Sequence, residues 1–101
     1  MIIFYIVCKD SNEAKSISNS LLKKKLVACT NFFPMNSMYH WEGKIVNDNE
    51  FVLIAKTSEN NKEIVEKEVL KMHSYSIPCI ISFKVDANES YLNWLNKELE
   101  K

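Results

Sequence analysis

The side chains with the clearest potential for chemistry are thiols and imidazoles. The chain carries Cys8, Cys29, Cys79, His40 and His73. Thiolate and imidazole are ligands that copper and zinc accept in proteins. No two cysteines are closely spaced, so a zinc ribbon or a thioredoxin-like motif is excluded. Only the fold could bring these candidates together, and the alternative is that strand cysteines are small buried hydrophobes.

The charge balance and the glycine content exclude several functional classes. Thirteen acidic residues cancel thirteen basic ones, and every basic residue is a lysine. Because arginine is the usual bidentate reader of bases and phosphates, we expect no nucleic-acid partner. The only glycine is Gly43. Walker and dinucleotide-binding loops need several glycines, so neither loop is present.

The cysteine count and the apolar N-terminus bear on location. An odd number of cysteines and the absence of a signal-peptide pattern favour a reducing compartment. The apolar run 2–8 is one strand long, far short of the roughly 20 residues that span a bilayer. We therefore expect a cytoplasmic protein without a membrane partner.

Hydrophobic patterns predict four strands and three helices in one domain, residues 1–101. The apolar run 2–8 is typical of a central strand that is buried on both faces. Three helix starts are predicted from cap pairs: Asp10 with Glu13, Asn60 with Glu63, and Asp86 with Glu89. The resulting order, βαββαβ plus a C-terminal helix, predicts a ferredoxin-like α+β fold with sheet order 4-1-3-2.

The second and third strands form an unusually long hairpin. Strand-like runs at about 26–41 and 44–57 flank the turn at Glu42-Gly43, where a two-residue loop needs positive φ. Pro34 and the segment Asn47-Asp48-Asn49 suggest bends or bulges within the arms. Each arm has about 14 residues, against the usual 5 or 6, and so must project beyond the helices.

The projecting arms predict a homo-oligomer. They would leave strand edges, one sheet face, Tyr39 and Trp41 in water, which a closed cyclic assembly would avoid. We therefore expect Tyr39 and Trp41 at a subunit interface.

The predicted topology also places two of the cysteines. Cys8 ends strand 1 and Cys79 begins strand 4, and these strands are antiparallel neighbours in the 4-1-3-2 order. We expect their sulfur atoms within roughly 10 Å of each other, with His73 near the same end of the sheet.

The chain resembles the CutA family over essentially its whole length. The matching residues are Ala28-Cys29-Thr30-Asn31, Pro34, Ser37, Tyr39, Trp41, Gly43-Lys44, Lys56-Thr57, His73-x-Tyr75 and Tyr91-Leu92-x-Trp94-Leu95. The resemblance implies a PII-like homotrimer with interlocking hairpins. It implies a role in divalent-metal tolerance, copper above all, with no enzymatic activity and no required cofactor.

The resemblance also implies candidate sites. Lys56, His73, Tyr75 and Trp41 resemble a cluster in an inter-subunit cleft, which would suit a small anion. The chain has Lys9 and Ser74 where the family has proline. Cys79 stands where many members have Glu, which introduces a softer ligand that favours Cu(I).

Two functions follow from these expectations. The first is a metal-responsive protein that binds copper or another divalent ion weakly through Cys8, Cys29, Cys79 or His73. The second is a PII-like signalling or scaffold protein that binds a small anion or another protein. An enzyme is not expected, because His73 beside Ser74 has no orienting third group and no oxyanion hole.

Overall fold

A computed structural model describes residues 1–101 as four strands and three helices. The elements are β1 (Ile2–Cys8), α1 (Ser11–Lys23), β2 (Cys29–Trp41), β3 (Lys44–Thr57), α2 (Lys62–Met72), β4 (Ile80–Lys84) and α3 (Glu89–Glu98), with a 3₁₀ turn at Glu59–Asn61 before α2. This order confirms the predicted α+β, ferredoxin-like arrangement. None of the helices has the length and apolar character needed to cross a membrane.

The four strands form one antiparallel sheet in the order β2-β3-β1-β4, which confirms the predicted order 4-1-3-2. Strand β1 is central. It pairs with β3 from Ile2 opposite Thr57 to Cys8 opposite Phe51. On its other side it pairs with β4, as far as Ile6 opposite Ile80.

The side chains of β1 alternate between two different environments. Ile2, Phe4, Ile6 and Cys8 are buried on one side of the sheet, here called the helix face. The helices contribute the other half of this core, with Ala14, Ile17 and Leu21 from α1 and Val65 and Val69 from α2. Inward-facing apolar side chains therefore recur at every second residue of β1 and at helical spacing in α1 and α2. The three elements share one core.

The opposite side of the sheet, here called the open face, is only partly covered. Helix α3 lies across one end, where the Tyr91 ring centroid is 5.7 Å from the Lys56 ammonium. The registers place Phe33, Ile81 and Phe83 on this face, and each of these side chains is about half exposed. Exposing such an apolar sheet surface to water is unfavourable in free energy. A partner that covered this surface would remove that cost.

The β2–β3 hairpin extends beyond the sheet. Residues 44–50 of β3 pair with β2 alone, and the longest dimension of the molecule is 46 Å. The register runs without interruption from Cys29 opposite Lys56 to Trp41 opposite Lys44. Of the bends or bulges suggested at Pro34 and at 47–49, the bulges are therefore wrong. A proline is tolerated because β2 is an edge strand, with no partner on its outer side.

Only one of the three predicted helix caps has the expected bonds. The Asp10 carboxylate accepts the Glu13 N–H at 2.8 Å, which confirms the start of α1. The cap predicted at Asn60 is wrong because Asn61 holds that position, and its amide bonds Leu26 O and Thr57 Oγ1 instead. The third helix begins at Glu89 after Asn88, so the predicted Asp86 cap is also wrong.

The hairpin turn generates a prediction about stability. Glu42 and Gly43 both have positive φ, 51° and 79°, which is the type I′ geometry that favours Asn-Gly. We expect Gly43→Ala to destabilise the protein by about 1 kcal/mol, since a Cβ disfavours this backbone although the space around it is empty. Glu42→Asn should stabilise the turn. Denaturant unfolding at one fixed protein concentration measures both variants, and a stabilising Gly43→Ala would contradict the assignment.

Candidate functional site

The structure brings three potential metal ligands together where β1 ends. Cys8 is the last residue of β1, Glu13 lies in the first turn of α1, and His73 follows α2 directly. One ligand atom from each side chain, a sulfur, a carboxylate oxygen and a ring nitrogen, lies within 4.8 Å of the other two. Cys8 and His73 were predicted ligands. Glu13 was not, because its spacing from Asp10 already explained it as part of a helix cap.

The imidazole of His73 uses both of its nitrogens within the fold. Nε2 lies 2.7 Å from Val7 O, which can only accept, so Nε2 carries the proton. Nδ1 accepts the Tyr75 N–H at 3.1 Å. The ring is wholly buried. His73 therefore ties the residue after α2 to β1 as a neutral imidazole, which is a structural role.

The carboxylate of Glu13 joins three segments of the chain. Oε1 accepts the Lys9 N–H and Oε2 accepts the Ser74 N–H, both at 2.9 Å. Burial alone would raise the pKa of Glu13, but the hydrogen bonds from Ser74 and Lys9 outweigh it and hold that pKa below its usual range. Glu13 is therefore ionised at neutral pH and links the start of α1, the end of β1 and the segment after α2.

The thiol of Cys8 is buried beside these groups. Burial, supported by the negative charges of Glu13 and Asp10, raises the pKa of Cys8 to about 12. Cys8 is therefore a protonated thiol at neutral pH. Since metals bind the thiolate, an ion at this position would have to displace the thiol proton.

Cys79 lies at the same end of the sheet as Cys8 but on the other face. The Val7 N–H donates to Cys79 O at 3.2 Å, which confirms that the two cysteine segments are neighbours. This bond continues the β1–β4 register and places Cys79 opposite Val7, on the open face. Cys8 points to the helix face, so the sheet separates the two thiols.

Cys29 lies far from this cluster, at the opposite end of the sheet. It pairs with Lys56, which in turn pairs with Ile3 near the start of β1. Cys29 is close enough to Tyr91 to contribute, after burial, to raising the pKa of that phenol. Within one chain, Cys29 therefore shares no site with Cys8 or His73.

The residues predicted for an anion pocket are likewise dispersed within one chain. His73 and Tyr75 are adjacent, with ring centroids 5.0 Å apart. Lys56 lies near the other end of β1, and Trp41 lies at the tip of the hairpin. A pocket containing all four residues would therefore need side chains from more than one subunit.

Tyr75 makes a contact that the sequence did not suggest. Its hydroxyl donates to Glu50 Oε2 at 2.7 Å, and Glu50 is buried. Burial and this carboxylate raise the pKa of Tyr75 above its usual range. The bond ties the segment after α2 to β3, so this segment contacts both central strands.

Comparison with known proteins identifies the family. Residues 2–98 match the family model of the CutA1 divalent ion tolerance protein. The chain belongs to the CutA family. The divalent-cation tolerance protein CutA of Pyrococcus horikoshii is 40% identical over an alignment of 102 residues that covers 100% of both chains. Its counterpart from Archaeoglobus fulgidus is 40% identical over 97 residues, 95% of each chain. These matches confirm the resemblance seen in the sequence.

Solved CutA structures confirm the fold. The crystal structure of CutA1 from Pyrococcus horikoshii superposes with a TM-score of 0.95 at 39% identity and covers all of both chains. The PII-like protein CutA from Nostoc sp. PCC 7120, in apo form, superposes with a TM-score of 0.90 over 99% of this chain and 98% of that one. Its identity of 24% makes that likeness one of fold alone.

The Tyr75–Glu50 bond generates a stability prediction. Tyr75→Phe removes a donor from a buried carboxylate, so we expect a loss of about 1–3 kcal/mol in the free energy of unfolding. Ser20→Ala is the matched control, because Ser20 Oγ donates to Glu68 at 3.0 Å and that carboxylate keeps its ion pair with Lys24 when the hydroxyl is removed. That change should be nearly neutral. Equal effects of the two variants in denaturant unfolding would contradict a structural role for Tyr75.

The lowered pKa of Glu13 predicts a pH-dependent contribution to stability. Glu13→Gln places an amide NH2 group against one of the two backbone donors and should cost about 1–3 kcal/mol at neutral pH. A carboxyl whose pKa is lower in the folded state stabilises above its unfolded pKa of about 4.3 and loses this effect as the pH falls. The difference between wild type and variant should therefore shrink as the pH falls below about 4.3.

Glu63→Gln is the control for this measurement. Glu63 also lies in the first turn of a helix, but its side chain makes no hydrogen bond. Its variant should show a small difference throughout. A Glu13→Gln effect that does not change with pH would show that the carboxylate charge has no part in holding the three segments.

Proposed function

We propose that this protein serves divalent-cation tolerance as a homotrimer that binds metal weakly and reversibly. The observation that carries the assembly is the open face, where three large apolar side chains are about half exposed. Family membership supports the tolerance role, since the relatives from Pyrococcus horikoshii and Archaeoglobus fulgidus are named for it. Copper is the proposed ion, and no cofactor is required.

The hairpin supports the homotrimer. Tyr39, Trp41 and Ile45 on the two-stranded extension expose between 39% and 67% of their surface. A two-stranded ribbon with apolar side chains is only marginally stable alone in water. Contact between the ribbon and a neighbouring subunit would bury Tyr39 and Trp41, and a closed ring would leave no ribbon uncovered.

Weak binding is supported by the state of the candidate ligands. Cys8 is protonated, both nitrogens of His73 are bonded, and Glu13 accepts two backbone donors. An ion that binds here must displace these partners. Its net affinity is therefore reduced by the stabilising free energy that the displaced partners contribute to the fold.

A second candidate function is PII-like signalling through a small anion. Lys56 has no carboxylate within ion-pair distance and lies over the ring of Tyr91. An unpaired cation beside an aromatic ring suits a carboxylate or phosphate ligand. Loss of copper tolerance in a Cys8 variant would favour the first function, and loss in a Lys56 variant would favour the second.

Two further expectations remain predictions. The cytoplasmic location rests on cysteine usage, while relatives are named as periplasmic in Archaeoglobus fulgidus and chloroplastic in Arabidopsis thaliana. The matched relatives are named for tolerance rather than for catalysis, and we propose that this protein has no enzymatic activity.

The proposed assembly predicts the effect of a charge on the open face. Phe83→Glu should shift the mass in sedimentation equilibrium from three times the 11.8 kDa chain towards a single chain. Leu70→Glu is the matched control, because Leu70 is similarly exposed but lies on α2, on the helix side. It should leave the mass unchanged. A Phe83→Glu protein that stays trimeric would contradict the proposed interface.

The same two variants test tolerance. In a host that lacks its own CutA protein, the wild-type chain and Leu70→Glu should raise the copper concentration that permits growth, and Phe83→Glu should not. No change in growth with the wild-type chain would contradict the proposed function.

A further inference from the structure

We propose that Glu50 of one subunit forms an ion pair with Lys56 of the partner subunit, so that every subunit boundary of the trimer contains a Tyr75–Glu50–Lys56 contact. The pair rests on the proposed homotrimer and deepens it. It names the partner of two charged side chains on the open face, and it sets which end of one subunit meets which end of the next.

Glu50 is a buried carboxylate with one free oxygen. Only 6% of the residue is exposed, and its one hydrogen bond is the 2.7 Å bond from the Tyr75 hydroxyl to Oε2. No lysine of the chain lies within ion-pair distance of it. Ser18 Oγ is the only sealed side-chain polar atom without a partner, so Oε1 of Glu50 reaches the surface. Because a buried charge is costly unless it is paired, we expect a cation from outside the chain at Oε1.

The side chain of Glu50 belongs to the open face. Glu50 lies two residues before Val52, which pairs with Val7 on that face. Its charge also contributes, after burial, to raising the pKa of Cys79, another open-face residue. Strand β1 ends opposite Phe51. Glu50 therefore lies at the end of the open face where the hairpin leaves the four-stranded sheet.

Lys56 is the cation at the other end of the same face. It pairs with Ile3 on β1 and with Cys29 on β2, and it is the only basic side chain that the four-stranded part of the sheet presents there. Its ammonium lies 5.7 Å from the centroid of the Tyr91 ring and has no carboxylate within ion-pair distance. Along β3 it is about 20 Å from Glu50, which is beyond the reach of a lysine side chain. The two charges therefore cannot meet within one chain.

A closed ring of three subunits brings these two ends together. If the hairpin ends of two subunits met each other, the contact would be self-complementary and would close as a dimer. A ring of three needs a head-to-tail contact, in which one patch of a subunit meets a different patch of the next. The hairpin projects past Glu50, so the neighbour must present the end of its open face that carries no hairpin. Lys56 lies at that end.

The ion pair would orient an interface that is otherwise apolar. Phe33 and Ile81 lie between the levels of Glu50 and Lys56 on the open face. Apolar contact has little directional preference, whereas a carboxylate at one end and an ammonium at the other fix the register of two subunits. Lys56 is then occupied by a protein carboxylate. The pair therefore supports the first candidate function and disfavours an anion ligand at Lys56.

Carbodiimide cross-linking tests the contact directly, because the reagent joins a carboxyl to a neighbouring amine with loss of water and adds no spacer. Trimers are assembled from unlabelled and isotopically labelled wild-type chains, and the cross-linked peptides are identified by mass spectrometry. We expect a cross-link between Glu50 and Lys56 whose two peptides carry different labels. A cross-link from Glu50 to Lys9 in its place, or none from Glu50 in a trimer that is cross-linked elsewhere, overturns the pair.

Charge reversal tests the energetic role of the pair. Lys56→Glu sets two carboxylates against each other and should raise the protein concentration at which the trimer dissociates by about tenfold or more. Adding Glu50→Lys to the same chain should restore assembly. Lys67→Glu is the control, because Lys67 is exposed on α2 and makes no ion pair. Sedimentation equilibrium measures the mass, and circular dichroism establishes that each variant is folded.

The outcomes separate the pair from the proposed function. A wild-type chain that sediments alone would reject the homotrimer and the pair together. A trimer that folded Lys56→Glu leaves unchanged, or that the folded double variant fails to restore, would reject the pair and leave the homotrimer standing. A Lys56 variant that loses tolerance fits either candidate function. An unchanged trimer mass with lost binding of inorganic phosphate would overturn the pair in favour of the anion ligand.

Discussion

Strand β1 has a hydrogen-bonded neighbour on each side, so each of its side chains must point to one face of the sheet or the other. Because of this constraint, the core with α1 and α2 contains one set of β1 side chains, namely Ile2, Phe4, Ile6 and Cys8. Val7 lies on the open face, together with the neighbouring Cys79. A shift of one residue would exchange the two sets. The strand register thus determines which thiol lies beside Glu13 and His73, and which apolar surface stays exposed in a single chain.

The end of β1 is also where the chain segments are held together. Glu13 accepts backbone donors from Lys9 and Ser74, and His73 bonds Val7. Tyr75 adds a bond to Glu50 on β3. The bonds of His73 and Tyr75 are partly buried, and in such contacts a lost partner is costly and the geometry is therefore well specified. Glu13 and His73 hold the segment after α2 and are also candidate metal ligands. A change at either residue should therefore affect both the stability of the fold and the candidate site.

Much of the fold could be predicted from the sequence. The apolar run 2–8, the Asp10–Glu13 cap and the single glycine at a two-residue turn are local signals that correctly predicted a central strand, a helix start and a hairpin. The expected burial of β1 on both faces is wrong within one chain, because only its helix-face side chains are fully buried. The bulge at Pro34 was predicted wrongly because the effect of a proline depends on whether its strand is central or at an edge. The site was harder to predict, since the environment of Cys8 depends on contacts between residues about 60 positions apart. The spacing from Asp10 predicted Glu13 as part of a helix cap, and no sequence signal indicated that its carboxylate also reaches Ser74.

The central claim is that the register of β1 places one thiol in a shared site with an imidazole and a carboxylate. Anomalous diffraction from crystals of the protein grown with Co²⁺ tests it most directly. We expect an anomalous peak beside Cys8 Sγ and the His73 ring, on the helix face of the sheet. A peak at Cys79 or Cys29 in its place, or no peak beside Cys8 in crystals that contain the ion, would contradict a shared site at Cys8.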